Sequence, residues 1–215
     1  MVKSLLIILT IIISDAAVAQ GSVNFSKPVK KNVNYDSLRA VMEVMLHDDQ
    51  NIRRIIIDSL GINSPEAPKY FQKMMEIDMR NRQQMQIILD KYGWLERSKI
   101  GEKAAESMFY VIQHTDLETV NKYYPQFKKL AKRGEASTKL CAMMEDRKLM
   151  WEGKKQIYGS QASNQLRPDG SYAIWPIENA SKVNKRRKKV GFETMVEEAA
   201  AALNASYNPN EELPK

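Results

Sequence analysis

The sequence predicts an all-α fold, a helical single domain with a loop-rich segment or small β-hairpin near residues 156–177. Apolar residues recur every three or four positions over long stretches, which is the spacing of one buried helix face. Glycine and proline stand at the ends of these stretches, where helices stop and start. The pattern breaks after Gly153, and the dipeptide Asp169-Gly170 beyond it is typical of hairpin turns.

The helical pattern divides into segments separated by glycine, proline or a capping motif. Helices are predicted over residues 36–60, 64–92, 101–113 and 136–151, with a last one over 193–203. Thr115-x-x-Glu118 is a capping-box pattern, which predicts that a further helix begins there. Pro125 and Gly134 are expected to bound a segment before the helix at residue 136.

The N-terminal residues predict export. Lys3 precedes an unbroken apolar run over residues 5–13, and Ala17-Val18-Ala19 follows it. A basic start, a short apolar run and an A-x-A exit are the three parts of a secretory signal peptide. A membrane span needs roughly 20 apolar residues, so no transmembrane segment is expected after signal removal. The predicted organisation is a signal peptide over 1–19, a flexible tether over 20–34, the helical domain over 35–205 and a tail over 206–215.

The chain is basic, with a formal net charge of +7 and a pI near 9.3. This balance favours attraction to anionic surfaces or polymers. The basic run over residues 185–189 is like a nuclear-import signal, but export makes that role irrelevant, and we expect a solvated face or a contact for an anionic polymer. No nucleic-acid partner is predicted. Cys141 is the only cysteine, which excludes an internal disulfide, and its thiol is expected to be buried.

Polar side chains interrupt the apolar rows of three predicted helices. They are Asp49 and Arg53 in the first helix, Asp78 and Asn81 in the second, and Arg147 in the helix over 136–151. Burying a lone charge is costly, so such residues must be paired, hydrogen-bonded or face a wet cavity. One interpretation is a closed ion-pair network that serves packing alone. The other is a pocket in which polar groups converge on a ligand.

His114 lies in the stretch Gln113-His114-Thr115-Asp116 and is the natural acid–base candidate, because the unperturbed pKa of histidine is about 6.5. Asp116 or Asp49 would orient its ring. The alternative is a histidine that only ends a helix, where the helix dipole favours its positive charge. A metal site is not predicted, since an H-x-x-x-H pair and a cysteine cluster are missing. Nucleophile, phosphate-loop and dinucleotide motifs are missing too, so no cofactor is predicted.

Several short motifs follow one another in a fixed order. They are Asp49-Gln50-x-x-Arg53, Asp78-x-x-Asn81, Tyr92-Gly93-Trp94 followed by Gly101, Gln113-His114-x-Asp116, Asp146-Arg147, Gln156-x-Tyr158-Gly159-x-Gln161 and Arg187-x-x-x-Gly191. Over residues 35–203 this ordered set resembles a family of uncharacterised exported bacterial proteins, described only as a domain of unknown function. The family often has proline and threonine where this chain has Leu95 and Ser160.

The resemblance implies no known reaction. It implies that the polar residues in the helical rows share one signature with His114 and with the loop over residues 158–161. A network that serves packing alone rarely includes a histidine, two glutamines and a tyrosine, so the resemblance favours a pocket. It also implies a location in the bacterial envelope, in the periplasm or outside the cell.

We therefore expect an internal polar pocket that binds a polar or anionic ligand, either a small molecule or a piece of an envelope polymer. Arg53 and Arg147 are the expected anion contacts, and Gln113, Gln156 and Gln161 the orienting hydrogen-bond groups. The other candidate pocket residues are Asp49, Gln50, Asp78, Asn81, Tyr158 and Arg187.

Two alternative functions stay open. The first is a hydrolase-like envelope enzyme in which His114 is the general acid or base and Asp116 or Asp49 orients it. The second is an interaction protein that uses its basic surface and has a purely structural polar core.

Overall fold

A computed structural model describes residues 33–61, 64–163, 165–167 and 170–214. Its helices are α1 (Tyr35–Arg54), α2 (Ala67–Tyr92), α3 (Arg97–Ile100), α4 (Glu102–Gln113), α5 (Leu117–Lys132), α6 (Thr138–Trp151), α7 (Val183–Lys189) and α8 (Val196–Ala202). The strands named in these residues are β1 (Tyr172–Ala173) and β2 (Ala205–Ser206), each only two residues long. The predicted all-α fold is therefore confirmed.

The helical core forms around α4. This helix packs on α1, and it also contacts α2, α5 and α6, while α5 and α6 pack on each other. Met42 and Met108 are fully buried among these helices, and Trp94 stacks on Phe127 with ring centroids 4.4 Å apart. Burying one such side chain contributes about 1.5–3 kcal/mol to stability. The packing fixes the relative positions of α1, α2, α4 and α6, which carry the candidate site.

The first predicted helix is present, and its last turn is wider than an α-helical turn. Asn34 caps the start of α1 by accepting a hydrogen bond from the backbone N–H of Ser37 at 3.0 Å. Beyond Arg54 the helix continues as a π-helical segment, Ile55–Leu60. Gly61 ends it with a φ of +78°, a left-handed conformation that costs glycine little.

Two boundaries near α5 differ from the prediction. Asp116, and not Thr115, caps the helix, because its Oδ1 accepts a hydrogen bond from the N–H of Thr119 at 2.8 Å. The Thr115 hydroxyl instead donates to a carbonyl in the last turn of α4. Pro125 lies inside α5 and does not end a segment. It has no N–H for the carbonyl of Asn121, but both residues are exposed, so water can bind that carbonyl.

The segment after α6 is loop-rich, as predicted, but its strand pairing differs from a hairpin. Residues 168–169 of the predicted turn lie outside the described residues. Antiparallel pairing across the described part of the segment is a single bridge between Ala162 and Ile174. β1 pairs in parallel with β2. The bonds between them run from the N–H groups of Tyr172 and Ile174 to carbonyls of the C-terminal segment. The C-terminal segment therefore supplies the partner strand.

The two ends of the predicted domain have different outcomes. The predicted signal peptide over 1–19 and residues 20–32 of the predicted tether lie outside the described residues. The last predicted helix is observed as α8, which begins at Val196 and not at residue 193. Within the described ranges, no helix combines the length and the apolar character that crossing a membrane requires.

Candidate functional site

Arg53 is the centre of a buried ion-pair network that joins α1 to α2. Its Nη1 lies 2.9 Å from Oδ1 of Asp49, one turn earlier on α1. Its Nη2 donates to both oxygens of Asp78 on α2, at 3.0 and 2.8 Å. Asp49 and Arg53 are 1% and 6% exposed. The charged residues that interrupt the apolar rows of α1 and α2 therefore bond one another, so each of them has a partner of opposite charge, as buried charges must.

His114 joins this network from the end of α4. Its Nδ1 lies 2.9 Å from Oδ1 of Asp49. Burial and the positive charge of Arg53 lower the pKa of His114, although Asp49 acts in the opposite direction. Burial opposes the charge of Asp49, but His114, Arg53 and Gln50 hold the pKa of this carboxyl below its usual range. At neutral pH the Nδ1–H of a neutral imidazole therefore donates to an ionised Asp49, and Nε2 is the nitrogen that can meet a ligand.

A cleft of about 490 Å³ opens beside this network, between α2 and the C-terminal ends of α4 and α6. Its polar lining residues are Arg53, Gln72, Glu76, Asp78, Arg82, Gln113, His114, Thr115 and Arg147. Its apolar lining residues are Met74, Met75, Met79 and Trp151. Pockets that hold small molecules have volumes of about 300–1,000 Å³, so the cleft is large enough for such a ligand.

Gln113, the last residue of α4, is the most unusual group in the cleft wall. It is only 1% exposed. Neither its Nε2 nor its Oε1 has a hydrogen-bond partner among the residues that the structure describes. A buried polar group without a partner costs about 1–3 kcal/mol, and most buried amides in proteins are satisfied. Gln113 thus carries an unsatisfied donor group and an unsatisfied acceptor, and it is part of the wall of a cleft with space for a ligand.

Arg147 forms another part of the cleft wall, from α6. It is 1% exposed, and its guanidinium lies over the ring of Trp151, 5.3 Å from the ring centroid. Burial and the positive charge of Arg53 lower the pKa of Arg147 to about 9. The side chain therefore stays protonated at neutral pH, in surroundings that disfavour its charge. An anion in the cleft would favour that charge.

Three other predicted site residues have roles around the network. Gln50 donates to Oδ2 of Asp49 at 2.7 Å. Asn81 is buried on α2, and its Nδ2 donates to a backbone carbonyl of α1 at 3.2 Å. Asp116 caps α5 and forms an ion pair with Arg82. Asp49, and not Asp116, is therefore the carboxylate that orients His114.

Four predicted site residues lie away from the cleft, in and around the loop after α6. Gln156 and Gln161 bond each other: Gln156 Nε2 donates to the carbonyl of Gln161 at 2.9 Å, and the N–H of Gln161 donates to Gln156 Oε1 at 3.0 Å. Arg187, from α7, donates to the carbonyl of Tyr158 at 2.8 Å. These four residues hold the backbone of residues 156–161 in place.

Asp146 is the residue that the sequence-based site prediction missed. It is fully buried, and its carboxylate accepts hydrogen bonds from the N–H groups of Ile157, Tyr158 and Ser160 at 2.8–3.0 Å and from the Ser160 hydroxyl at 2.8 Å. Burial raises its pKa to about 6, although these hydrogen bonds act in the opposite direction. The motif Asp146-Arg147 could have indicated it. Consecutive residues of a helix point about 100° apart, so Asp146 and Arg147 had to contact different surroundings.

The basic run over 185–189 is only partly a surface feature. Lys185, Lys188 and Lys189 are exposed on α7. Arg186 donates to the carbonyl of Ile157 at 2.8 Å, and Arg187 is 1% exposed. Two of the five charges in this run therefore bond the protein's own backbone.

Asp49, Asp78 and His114 bring three metal-ligating side chains together, with ligand atoms within 4.8 Å of one another. Arg53 lies between the two carboxylates and donates hydrogen bonds to both. Its guanidinium supplies the positive charge that a metal ion would otherwise bring. The geometry of these residues therefore favours an ion-pair network over a metal centre.

Comparison with known sequences gives one assignment. The sequence model of a family of unknown function, DUF6624, matches residues 36–209. The chain belongs to this family. The DUF6624 match includes both the cleft and the loop held by Asp146. Comparison with curated proteins finds no match, and neither does comparison with solved structures. Membership of DUF6624 brings no reaction with it, so function has to be argued from the cleft.

Proposed function

We propose that the cleft binds a small polar ligand that carries an anionic group. The observation that supports this most strongly is Gln113, whose buried amide has no hydrogen-bond partner among the described residues although it forms part of the wall of an open cleft. A binding site commonly contains polar groups that only the ligand satisfies. The cost of leaving Gln113 unsatisfied would be recovered when the ligand binds.

Arg147 is the proposed anion contact. Its guanidinium is buried in the cleft wall and offers several donors in a planar arrangement that matches carboxylate or phosphate oxygens. The terminal nitrogens of Arg53 donate to Asp49 and Asp78. Arg53 holds α1 and α2 together and positions Asp49, which in turn orients His114.

A second candidate function is hydrolysis at the same cleft. It is favoured by the bond between His114 and Asp49, which leaves a neutral imidazole with Nε2 as its basic nitrogen. In such a reaction His114 would take a proton from water as the water oxygen attacks a carbonyl carbon, and it would return that proton to the leaving group. Asp49 would stabilise the imidazolium that forms between these steps.

The experiment that tests binding is a ligand screen by thermal denaturation of the purified protein. Suitable probes are N-acetyl amino acids, dicarboxylates and sugar phosphates, and a bound ligand raises Tm by mass action. The rise should disappear in Gln113→Leu and in Arg147→Gln. It should persist in Gln165→Leu and Arg54→Gln, which remove the same groups from exposed positions.

The variants separate the two candidate functions. A binding protein keeps its ligand in His114→Gln with little change in affinity. A hydrolase keeps affinity in His114→Gln but loses turnover of the ligand, measured as release of product over time. If every shift in Tm persists in Gln113→Leu and Arg147→Gln, the cleft is not the binding site and the proposal is wrong.

A further inference from the structure

The mouth of the cleft is lined by the exposed methionines Met75 and Met79 and by the exposed polar residues Gln72 and Glu76. Met75 and Met79 lie one turn apart on α2 and are 40% and 59% exposed, although both are large apolar side chains. Both line the cleft, together with the buried Met74 and with Trp151. Single exposed apolar residues are common on protein surfaces, but adjacent ones at the edge of a cleft indicate a contact surface.

Burial increases from this mouth to the base. The polar groups at the base, Gln113 and Arg147, are each 1% exposed, and the His114 side chain is 9% exposed. A ligand that matches this gradient enters with its polar end first and leaves an apolar part against Met75 and Met79. Methionine side chains are flexible and polarizable, so they can adapt to apolar groups of different shape.

The two atoms of the Gln113 amide restrict the polar end further. Nε2 needs an acceptor, and Oε1 needs a donor. A carboxylate alone offers no donor, whereas in an acylated amino acid the amide N–H can donate to Oε1 and the carboxylate beside it offers oxygens that can accept from Nε2. A ligand with an amide next to a carboxylate can therefore bond Gln113 through the amide and Arg147 through the carboxylate.

We propose that the cleft binds an N-acyl amino acid, with the amide at Gln113, the carboxylate at Arg147 and the acyl chain along Met75 and Met79. This inference rests on the proposed function and adds the chemical class of the ligand. Three separate features of the cleft each match one part of that ligand: an amide that has no partner among the described residues, a buried cation and two exposed methionines at the edge. The cleft volume of about 490 Å³ suits a molecule of this size.

The test measures binding of four probes by isothermal titration calorimetry. N-octanoylglycine carries all three parts of the ligand. N-acetylglycine lacks the chain, N-octanoylglycinamide lacks the charge, and octanoate lacks the amide. These short-chain compounds can be used as monomers. The fluorescence of Trp151 gives a second readout, and Trp151→Phe shows which part of the signal comes from the cleft.

N-octanoylglycine should bind most tightly. Each fully buried methylene strengthens binding roughly fourfold, so losing six of them on a one-sided wall should weaken binding at least on the order of tenfold. Losing the charge, and with it a charge-assisted hydrogen bond, should weaken binding roughly 10- to 100-fold. Octanoate should bind roughly tenfold more weakly, because it leaves the Gln113 amide unsatisfied.

Variants locate the acyl chain. Met75→Gln and Met79→Gln change exposed side chains, so the fold should persist. Each should weaken binding of N-octanoylglycine several-fold and leave N-acetylglycine unchanged. Ile87→Gln is the matched control, because Ile87 is 67% exposed on the same helix but does not line the cleft.

Three results would overturn the inference, and they have different consequences for the proposed function. Equal binding of N-acetylglycine and N-octanoylglycine, with loss of both in Gln113→Leu, rejects the acyl chain but supports a polar binding site. Binding that depends on chain length and ignores Gln113, Met75 and Met79 rejects both proposals, since it shows unspecific apolar adsorption. Absence of binding for all four probes rejects this ligand class and leaves the broader screen to decide the proposed function.

Discussion

His114 Nδ1 lies 2.9 Å from Oδ1 of Asp49, and this hydrogen bond joins the C-terminal end of α4 to α1. Arg53 binds the same oxygen of Asp49 from one turn further along α1, at 2.9 Å. One carboxylate oxygen thus fixes a histidine ring and a guanidinium at the edge of the cleft. The position of His114 consequently depends on Asp49, and the first two predictions follow from this dependence.

Replacing Asp49 with asparagine should destabilise the protein. Asp49→Asn leaves the buried Arg53 with one carboxylate partner, Asp78. It also puts an amide in place of the carboxylate that accepts hydrogen bonds from Arg53 and His114. We expect the free energy of unfolding to fall by about 3 kcal/mol, as for other broken buried ion pairs. The measurement is urea denaturation at neutral pH.

Asp48→Asn is the matched control for this change. Asp48 is adjacent in sequence but pairs with Arg80 near the surface, where both side chains are partly exposed. Exposed ion pairs contribute at most about 1 kcal/mol, so this variant should stay close to wild type. Equal losses in the two variants would contradict a special role for the buried network.

Stability should depend on pH through His114. Its pKa is lowered in the folded protein, so its contribution to stability is present above the ordinary value of 6.5 and is lost as the pH falls below it. One proton gives a slope of up to about 1.4 kcal/mol per pH unit. His114→Gln should remove this slope between pH 7.5 and 5.5 in denaturation curves, whereas His47→Gln should retain it because His47 is exposed.

The wild-type curve contains a second titration that has to be separated from this one. Asp146 has a pKa raised to about 6, and its contribution to stability is present at low pH and is lost as the pH rises through that value. The two groups therefore act in opposite directions. Subtracting the unfolding free energy of His114→Gln from that of the wild type, at each pH, isolates the contribution of His114. If this difference does not change with pH, His114 does not titrate as expected.

Removing the unsatisfied amide in the cleft should stabilise the ligand-free protein. Gln113→Met replaces a buried group that has no hydrogen-bond partner among the described residues with an apolar one of similar length. We expect a gain of about 1–3 kcal/mol in the free energy of unfolding, measured by chemical denaturation, together with loss of ligand binding.

Gln161→Met is the comparison for Gln113→Met. Both glutamines are 1% exposed, but the Gln161 amide donates to Ser160 Oγ at 3.1 Å. This variant should therefore lose stability. A loss of stability in both variants would mean that the Gln113 amide is satisfied in solution, and it would remove the main support for the proposed function.

Gly159 should tolerate alanine poorly. Its φ is +68°, and an added Cβ would lie 2.6 Å from Val196 Cγ2 and 2.8 Å from Ile177 Cδ1. Gly134 has a similar φ of +75°, but no atom of the described residues lies within 4 Å of its added Cβ. Gly134→Ala should cost about 1–2 kcal/mol for backbone strain. Gly159→Ala should cost about 1–3 kcal/mol more because of overpacking, measured as the difference in unfolding free energy. Equal costs would show that residues 156–161 move away from α8 without penalty.

The helical part of the fold was predictable because its residues follow local rules. Periodic apolar positions such as Met42 and Met45 identify the buried face of α1, and Gly61 marks its end. Asp49 was recognisable as a buried charge for the same reason. The shift of the α5 cap to Asp116 was not predictable, because Thr115 and Asp116 are both good capping residues and tertiary contacts decide between them.

The composition of the site was harder to predict, because it depends on which helix faces meet. Gln113 and Gln161 are both buried amides, yet one lines the cleft and the other holds a loop. Nothing in their local sequence distinguishes these surroundings. Met75 and Met79 lie on the outer side of α2, and only the neighbouring ends of α4 and α6 make that side part of a cleft.

Asp146 and Arg147 are consecutive residues of α6, and one holds the loop over 156–161 while the other lines the cleft. If α6 rotates about its axis as a rigid body, both side chains move together. An axial adjustment of α6 that fits Arg147 to a ligand therefore changes the hydrogen bonds that order the loop. Under the proposed binding function, cleft occupancy and loop order should therefore be coupled through this shared helix, and each should change the equilibrium of the other by the same factor.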